Sequence, residues 1–252
     1  DNGNGTVTVI LPQNATGNVT IYVDGKNFTG NVSDGITVII LENITPGKHN
    51  LTAVYSGDGN FTNATVNGTV VIPKLDSPLS VDAANISVGD VAYINVTAPT
   101  GNVTIEINGK SYKPVNYNNG IARFVVENLA YGNKTIAVTY GGDANYTRNF
   151  TTANFTVSKR NSYVKVNVSD INVGDVAYIN VTVPSNATGH VIVNIKGTNY
   201  TVNLTGGVGS LSVEGLGNGT YNVIATYLGD DQYISSINDT QTFGVNKVTS
   251  SI

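Results

Sequence analysis

Apolar and polar residues alternate at a spacing of two along almost the whole chain, and Gly, Pro, Asn and Asp stand at the breaks. This pattern predicts short strands with one face turned inward, joined by turns. No stretch of a dozen residues carries the three-to-four spacing of an amphipathic helix. Residues 74–158 show the pattern in full. Leu79 and Val81 open a first strand that Val88-Gly89-Asp90 turns. Ile94, Val96 and Ala98 face inward in the next, then Val103, Ile105 and Ile107, and Asn108-Gly109 makes a hairpin turn of the type that needs positive φ at both central residues. A strand with Tyr112 and Val115 follows, then Phe124 and Val126, then Ile136, Val138 and Tyr140, and finally Phe155 and Val157 before Lys159.

The same slots recur on both sides. They hold Val7, Val9, Leu11, Val19, Ile21, Val23, Ile39, Leu41, Leu51, Ala53, Tyr55, Val70 and Ile72 in one copy, and Ile179, Val181, Val183, Val191, Val193, Ile195, Leu211, Val213, Val223, Ala225, Tyr227, Phe243 and Val245 in the other. The clearest mark of the repeat is the stretch Tyr55, Gly57, Asp58, Phe61, which returns as Tyr140, Gly142, Asp143, Tyr146 and as Tyr227, Gly229, Asp230, Tyr233. A period near 85 residues, with seven short strands in each, predicts an all-β chain of three tandem immunoglobulin-like β-sandwiches. The joints are marked by Lys74, Lys159 and Lys247 and are too short to act as floppy tethers. The expected arrangement is a stiff rod of roughly 35–40 Å per module, from strands of about 8 residues plus end loops.

The expected boundaries are 1–73 for a first module whose first strand is missing, 74–158 for a second and 159–246 for a third. Residues 247–252 match 74–79 and read as the start of a following module's first strand. One consequence would be a filament in which 247–252 of a neighbouring copy fills the open strand slot of the first module.

Composition narrows the function. The net charge is −4 with only 12% charged residues and no basic run, which argues against nucleic acid and anionic membrane surfaces as partners. No apolar run approaches the roughly 20 residues of a membrane-spanning helix. There is no cysteine, so each core closes by packing alone. Polarity comes instead from Asn and Thr. The sequence Asn-x-Ser/Thr occurs 24 times among 35 Asn, against about six expected from 46 Ser and Thr in 252 residues. Strand alternation alone would produce the reversed order equally often, yet Ser/Thr-x-Asn occurs nine times. The directional excess predicts N-glycosylation of a surface-exposed protein. The candidate sites, in turns or at outward strand positions, are Asn14, Asn31, Asn63, Asn102, Asn133, Asn186, Asn203 and Asn218. Neighbours such as Asn14 and Asn18, or Asn63 and Asn67, would crowd if both were filled.

The repeated Gly-Asp pair has a structural reading, in which Gly supplies positive φ and Asp bonds nearby N–H groups. The alternative makes Asp58, Asp143 and Asp230 ligands for Ca²⁺ with help from Asp90 or Asp175, although no dense calcium loop is present. The structural reading is preferred, and no cofactor or metal is expected. The recurrent joint lysines raise an isopeptide cross-link to Asn. That needs a buried Lys beside an Asn and a carboxylic acid, and the recurrent Glu42, Glu127 and Glu214 stand at strand ends before turns. His49 and His190 do not recur: Lys134 and Tyr221 occupy the slot of His49, and Asn18 and Asn102 that of His190. No nucleophile motif or phosphate loop is visible, so no catalytic residue is expected. Tyr117 and Tyr131 are candidate exposed contacts for a sugar or protein partner.

The pattern apolar-x-apolar-x-Tyr-x-Gly-Asp-x-x-Tyr/Phe, carried by Tyr55 to Phe61, Tyr140 to Tyr146 and Tyr227 to Tyr233, resembles the bacterial Ig-like repeats of large adhesin-like surface proteins. With its Asn and Thr richness and lack of cysteine, the chain looks most like the archaeal, methanogen-type members. The resemblance implies an extracellular, non-enzymatic stalk or surface-fibre segment at the cell surface, with neighbouring modules or end-to-end copies as partners. The alternatives are a strand-exchanging subunit of a filament or pilus, a carbohydrate- or protein-binding module, and an accessory region of a secreted enzyme.

Overall fold

Alternation is realised as strands throughout the computed structural model, which describes residues 4–250. The order starts with β1 (Gly5–Ile10), β2 (Asn18–Val23), β3 (Lys26–Asn31), β4 (Ile36–Leu41), β5 (Gly47–Tyr55) and β6 (Ala64–Ile72). These make two antiparallel sheets, β1-β4 and β3-β2-β5-β6. Their inward side chains meet in one core that includes Val19, Ile21, Leu41, Ala53, Tyr55 and Ile72.

The next stretch comprises β7 (Ser80–Ala83), β8 (Ile86–Ser87), β9 (Ala92–Thr97), β10 (Val103–Ile107), β11 (Lys110–Tyr112), β12 (Asn116–Asn118), β13 (Ile121–Val126), β14 (Gly132–Tyr140) and β15 (Asn149–Ser158). It folds into sheets β12-β13-β9-β7 and β11-β10-β14-β15-β8. The last stretch, β16 (Lys165–Asn167), β17 (Ile171–Asn172), β18 (Ala177–Thr182), β19 (His190–Ile195), β20 (Thr198–Asn203), β21 (Val208–Val213), β22 (Gly219–Tyr227) and β23 (Ser236–Asn246), repeats the plan as β16-β18-β21 and β17-β23-β22-β19-β20. The chain is therefore all-β, built of sandwiches of the immunoglobulin kind. The described residues form two compact units. One holds everything up to Asp82 together with Ile94–Phe124 and Ile136–Ala153, and the other holds Ala83–Tyr93, Val125–Thr135 and everything from Asn154 onward.

The inward positions read from the alternation are buried: Ile94, Val96, Ile105, Phe124, Ile136, Val138, Tyr140 and Val157 are each at most 1% exposed. Each such aliphatic or aromatic side chain contributes about 1.5–3 kcal/mol by leaving water. Asn108 and Gly109 have φ of 53° and 76°, the two positive angles that the hairpin between β10 and β11 requires.

Two expectations need correction. The first strand of 74–158 is not continuous. Ala84 and Asn85 break it, so that β7 joins one sheet, while β8 crosses to the other and pairs parallel with β15, Ile86 opposite Val157. β17 pairs parallel with β23 in the same manner, Ile171 opposite Val245. The alternation slips by one residue between Ala83 and Ile86, which marks a break but not which sheet each half joins. Nor do Tyr112 and Val115 share a strand: Pro114 breaks the run, β11 and β12 lie on different sheets, and Val115 is 63% exposed. In the 5–72 pair, Val7, Val9 and Leu11 are only partly buried against the core.

Candidate functional site

Each copy of the repeated motif closes the hairpin between the last two antiparallel strands of its sheet pair, β5–β6, β14–β15 and β22–β23. The tyrosine ends the first of these strands and points inward. Gly57 has φ of 77°, and a Cβ there would lie 2.9 Å from the nitrogen of Asn63 and from the carbonyl oxygen of Phe61, so only glycine fits. The aspartate then ties the loop to itself. The N–H of Asp58 donates to the carbonyl of Phe61 at 2.9 Å, while its Oδ1 accepts from the N–H groups of Asn60 and Phe61 at 2.7 and 2.8 Å. Asp143 and Asp230 repeat both arrangements.

The second carboxylate oxygen looks across the sandwich end. Oδ2 of Asp58 accepts from the N–H and hydroxyl of Thr16, and Oδ2 of Asp230 does the same with Thr188. In the middle copy the donor to Asp143 is the hydroxyl of Tyr140, at 2.8 Å. These donors favour the ionised form. The N–H of Thr16, then that of Asn60, hold Asp58 well below the usual carboxylate range. The hydroxyl of Tyr140 lowers Asp143. For Asp230 burial pushes upward, yet the N–H groups of Thr188, Gln232 and Tyr233 outweigh it and leave the carboxyl at about 2. Burial, followed by the nearby aspartate, raises Tyr55 and Tyr227.

Both oxygens of each carboxylate accept from the protein, so all three aspartates are committed to the loop and its neighbours. Among the described residues no three His, Asp or Glu side chains converge. Asp90 and Asp175 turn back on their own loops, accepting from the N–H groups of Ser87 and Asn172. The geometry is that of a structural clamp.

The outer rim of two of the loops grips another part of the chain. The ammonium of Lys74 donates to the main-chain carbonyl of Asp143 at 2.6 Å, and that of Lys159 donates to the carbonyl of Asp230. The next residue locks in by two backbone bonds: the N–H of Leu75 donates to Asn145 and its carbonyl accepts from Thr147, each at 2.9 Å. Arg160 makes the matching pair with Gln232 and Ile234 at 2.7 and 2.9 Å. Arg160 also meets Asp90 at 3.1 Å, and Lys159 lies 5.2 Å from the ring centre of Tyr131. The joint lysine and the motif recur with the same period, and that shared period was the available sign that they meet.

The sequence model of the bacterial Ig-like domain (group 3) matches residues 2–72. Among curated protein sequences, none matches significantly. Solved structures to which the chain is similar include the I9-I11 tandem from titin, at 12% identity over 98% of this chain and 95% of that one, with a TM-score of 0.30. Others are the titin domains z1z2 in complex with telethonin (14%, 71% and 100%, 0.38) and the Bacteroides ovatus mixed-linkage glucan utilization locus SGBP-B in complex with a mixed-linkage heptasaccharide (16%, 96% and 64%, 0.25). Likenesses this distant say nothing about activity or partner.

The remaining candidates separate by what their polar atoms touch. Asn14, Asn31, Asn63, Asn102, Asn133, Asn186, Asn203 and Asn218 are all exposed. However, the side-chain nitrogen of Asn102 donates to the carbonyl of Gly142 at 3.0 Å, and that of Asn218 to Val245 at 2.8 Å. Asn133 uses only its oxygen, accepting from Thr156. Glu42, Glu127 and Glu214 are exposed, as is Lys74, which is not the buried setting an isopeptide bond requires. The hydroxyl of Tyr117 is engaged by the carbonyls of Ala98 and Pro99; Tyr131 stays 57% exposed.

The slot of His49 turns out to be conserved in task though not in type. His49 Nε2 contacts the carbonyl of Thr45 at 2.7 Å, Lys134 donates to that of Tyr131 at 3.3 Å, and the hydroxyl of Tyr221 donates to that of Gly217 at 2.9 Å. Each ties the start of its strand to a carbonyl three or four residues upstream.

Proposed function

We propose that the chain is a non-enzymatic segment of an extracellular, adhesin-like stalk or surface fibre of the archaeal, methanogen kind, read as modules 1–73, 74–158 and 159–246 and carrying N-linked glycans. The observation that supports it best is the parallel pairing of the first and last strands, β8 with β15 and β17 with β23. Tension applied to the two ends of such a sheet pair pulls these strands past one another, so several hydrogen bonds must break together rather than one at a time. The clamp on Lys74 and Lys159 adds resistance where the segments begin. Single-molecule extension tests the reading. Ile86→Pro, which removes a backbone donor from β8, should lower the force peak of its sheet pair while leaving the 165–246 peak in place. An unchanged peak overturns the stalk reading.

A second reading is end-to-end association between copies. Lys247–Ser250 is exposed and outside any strand, and it matches Lys74–Ser77, whose first two residues occupy a loop of the Gly-Asp type. Ser251 and Ile252 lie outside the described residues. By that match 247–252 corresponds to the residues that meet the loop. Deleting 247–252 and following sedimentation velocity tests this reading; unchanged association removes it.

A further inference from the structure

Three asparagines of the 80–158 pair, Asn85, Asn133 and Asn154, line one depression of about 370 Å³ together with Thr135, Phe155 and Thr156. Each is held there by its side-chain oxygen. Asn85 accepts from the N–H of Thr156 at 2.7 Å, Asn133 from the hydroxyl of Thr156 at 3.0 Å, and Asn154 from the hydroxyl of Thr135 at 2.8 Å. Among the described residues none of the three side-chain nitrogens donates to the protein. No charged side chain lines the depression, since Lys134, between Asn133 and Thr135, is buried on the other face of β14. All three asparagines head a glycosylation tripeptide: Asn85-Ile86-Ser87, Asn133-Lys134-Thr135 and Asn154-Phe155-Thr156.

The other two copies separate their tasks. Where the chain changes sheets, the place of Asn85 is taken by Asp170, which accepts from the N–H of Gly244 at 2.6 Å. An aspartate cannot take an N-linked sugar, so this position works as a short acceptor. Asn154 stands in a cross-strand rung with Thr135, and the same rung is Asn50 opposite Thr69 in one copy and Asn222 opposite Thr242 in the other. The Asn-Thr pairing is kept while its sides are exchanged, as a structural pair allows and a modification site does not. The next rung, Asn133 with Thr156, corresponds to Lys48 with Val71 and to Thr220 with Gly244. Nothing in the repeat requires an asparagine at 133.

Given the reading that the chain carries N-linked glycans, on which this rests, we propose that Asn133 carries the one sugar chain of this face and that the depression seats its first residue. The bond forms between the side-chain nitrogen of Asn133 and the anomeric carbon of a phosphate-activated sugar. The phosphate-linked carrier leaves with the bonding electrons, and the nitrogen gives up one proton. The oxygen of Asn133 keeps its bond from Thr156. The amide nitrogens of Asn85 and Asn154 then donate to the sugar's hydroxyls, and the hydroxyl oxygens of Thr135 and Thr156 accept from them. A neutral ring suits a site with donors and acceptors but no charge, and the volume lies at the small end of the roughly 300–1,000 Å³ of ligand pockets.

Glycopeptide mapping of the full chain from its native source should find sugar on Asn133 and none on Asn85 or Asn154. The seat is tested by a double-mutant cycle in the same host. Asn85→Asp keeps the acceptor, as Asp170 shows, and removes the amide donor; it should lower the melting midpoint of the glycosylated chain by about 2–4 °C. In the sugar-free Asn133→Gln background the same change should cost less than half as much. Sugar on Asn85 or Asn154 overturns the assignment, as does sugar elsewhere in the chain with none on Asn133. Equal losses in the two backgrounds overturn the seat. A chain with no sugar at any asparagine overturns the glycosylation reading itself, and this inference with it.

Discussion

Lys74 and Asp143 stand 69 residues apart in sequence and meet at 2.6 Å, ammonium to main-chain carbonyl. The bond uses the carbonyl rather than the carboxylate because the carboxylate is already committed to the loop's own N–H groups and to Tyr140. One residue thus shapes the loop with its side chain and holds the joint with its backbone. Lys74→Met should leave the sandwich folded and speed amide exchange at Leu75 and Thr147, whose N–H groups make the two joint bonds, with a stability loss of about 1 kcal/mol or less because the lysine is exposed. Exchange rates unchanged within a factor of two would refute the joint.

The aspartates predict an acid limb. The Asp230 carboxyl is held at about 2 in the folded chain against an ordinary 3.8, so its contribution is present in full above about pH 4 and is lost as pH falls toward about 2. Asp58 and Asp143 shift the same way. Asp230→Asn should destabilise the 165–246 pair near neutral pH by about 1–3 kcal/mol, since an amide nitrogen would face N–H donors. Denaturant midpoints measured from pH 5 to pH 2 should fall less steeply for the variant. Parallel curves would refute the claim.

Tyrosine-to-phenylalanine changes should divide by copy. The hydroxyl of Tyr55 donates to the carbonyl of Thr16 at 2.7 Å and that of Tyr140 to Asp143 at 2.8 Å, whereas the buried hydroxyl of Tyr227 has no partner in the protein. Tyr55→Phe and Tyr140→Phe should each cost about 1 kcal/mol, and Tyr227→Phe should be neutral or stabilising. Urea unfolding of the three variants gives the comparison, and an equal loss in all three would show that Tyr227 is satisfied after all.

Glycan occupancy should follow the side-chain nitrogens. Asn14, Asn31, Asn63, Asn133, Asn186 and Asn203 keep theirs free of the internal carbonyl bonds made by Asn102 and Asn218. Glycopeptide mapping of protein from its native source should therefore find sugar on members of the first group and none on Asn102 or Asn218. Sugar on the latter two, or on no site, would contradict this.

Most of the sandwich was legible in the chain because burial on one face imposes a period of two: Ile105, Val138 and Val193 could be placed inward from spacing alone. The change of sheet at Ala84 and Asn85 was not: the alternation slips there by one residue, from Val81 and Ala83 to Ile86, which marks a break but does not say that β7 and β8 belong to different sheets. Nor was the shared task of His49, Lys134 and Tyr221 visible. An imidazole, an ammonium and a phenol have little in common as letters, yet each meets a carbonyl at the same corner, three or four residues back. For the motif, Tyr inward and Gly-Asp turning were readable locally. Its hold on Leu75 and Arg160 was not, because that is a backbone interaction across some 70 residues and leaves no mark on side-chain type.

That distance sets an order of events during synthesis. The segment at Lys74 is made first and must wait for the loop at Asp143, which a ribosome adding about 5–20 residues per second reaches roughly 3–14 s later. Each joint thus closes late, with only the last strand of its stretch still to be made. Until it does, the preceding sheet pair is free to finish folding without being pulled by the one behind it.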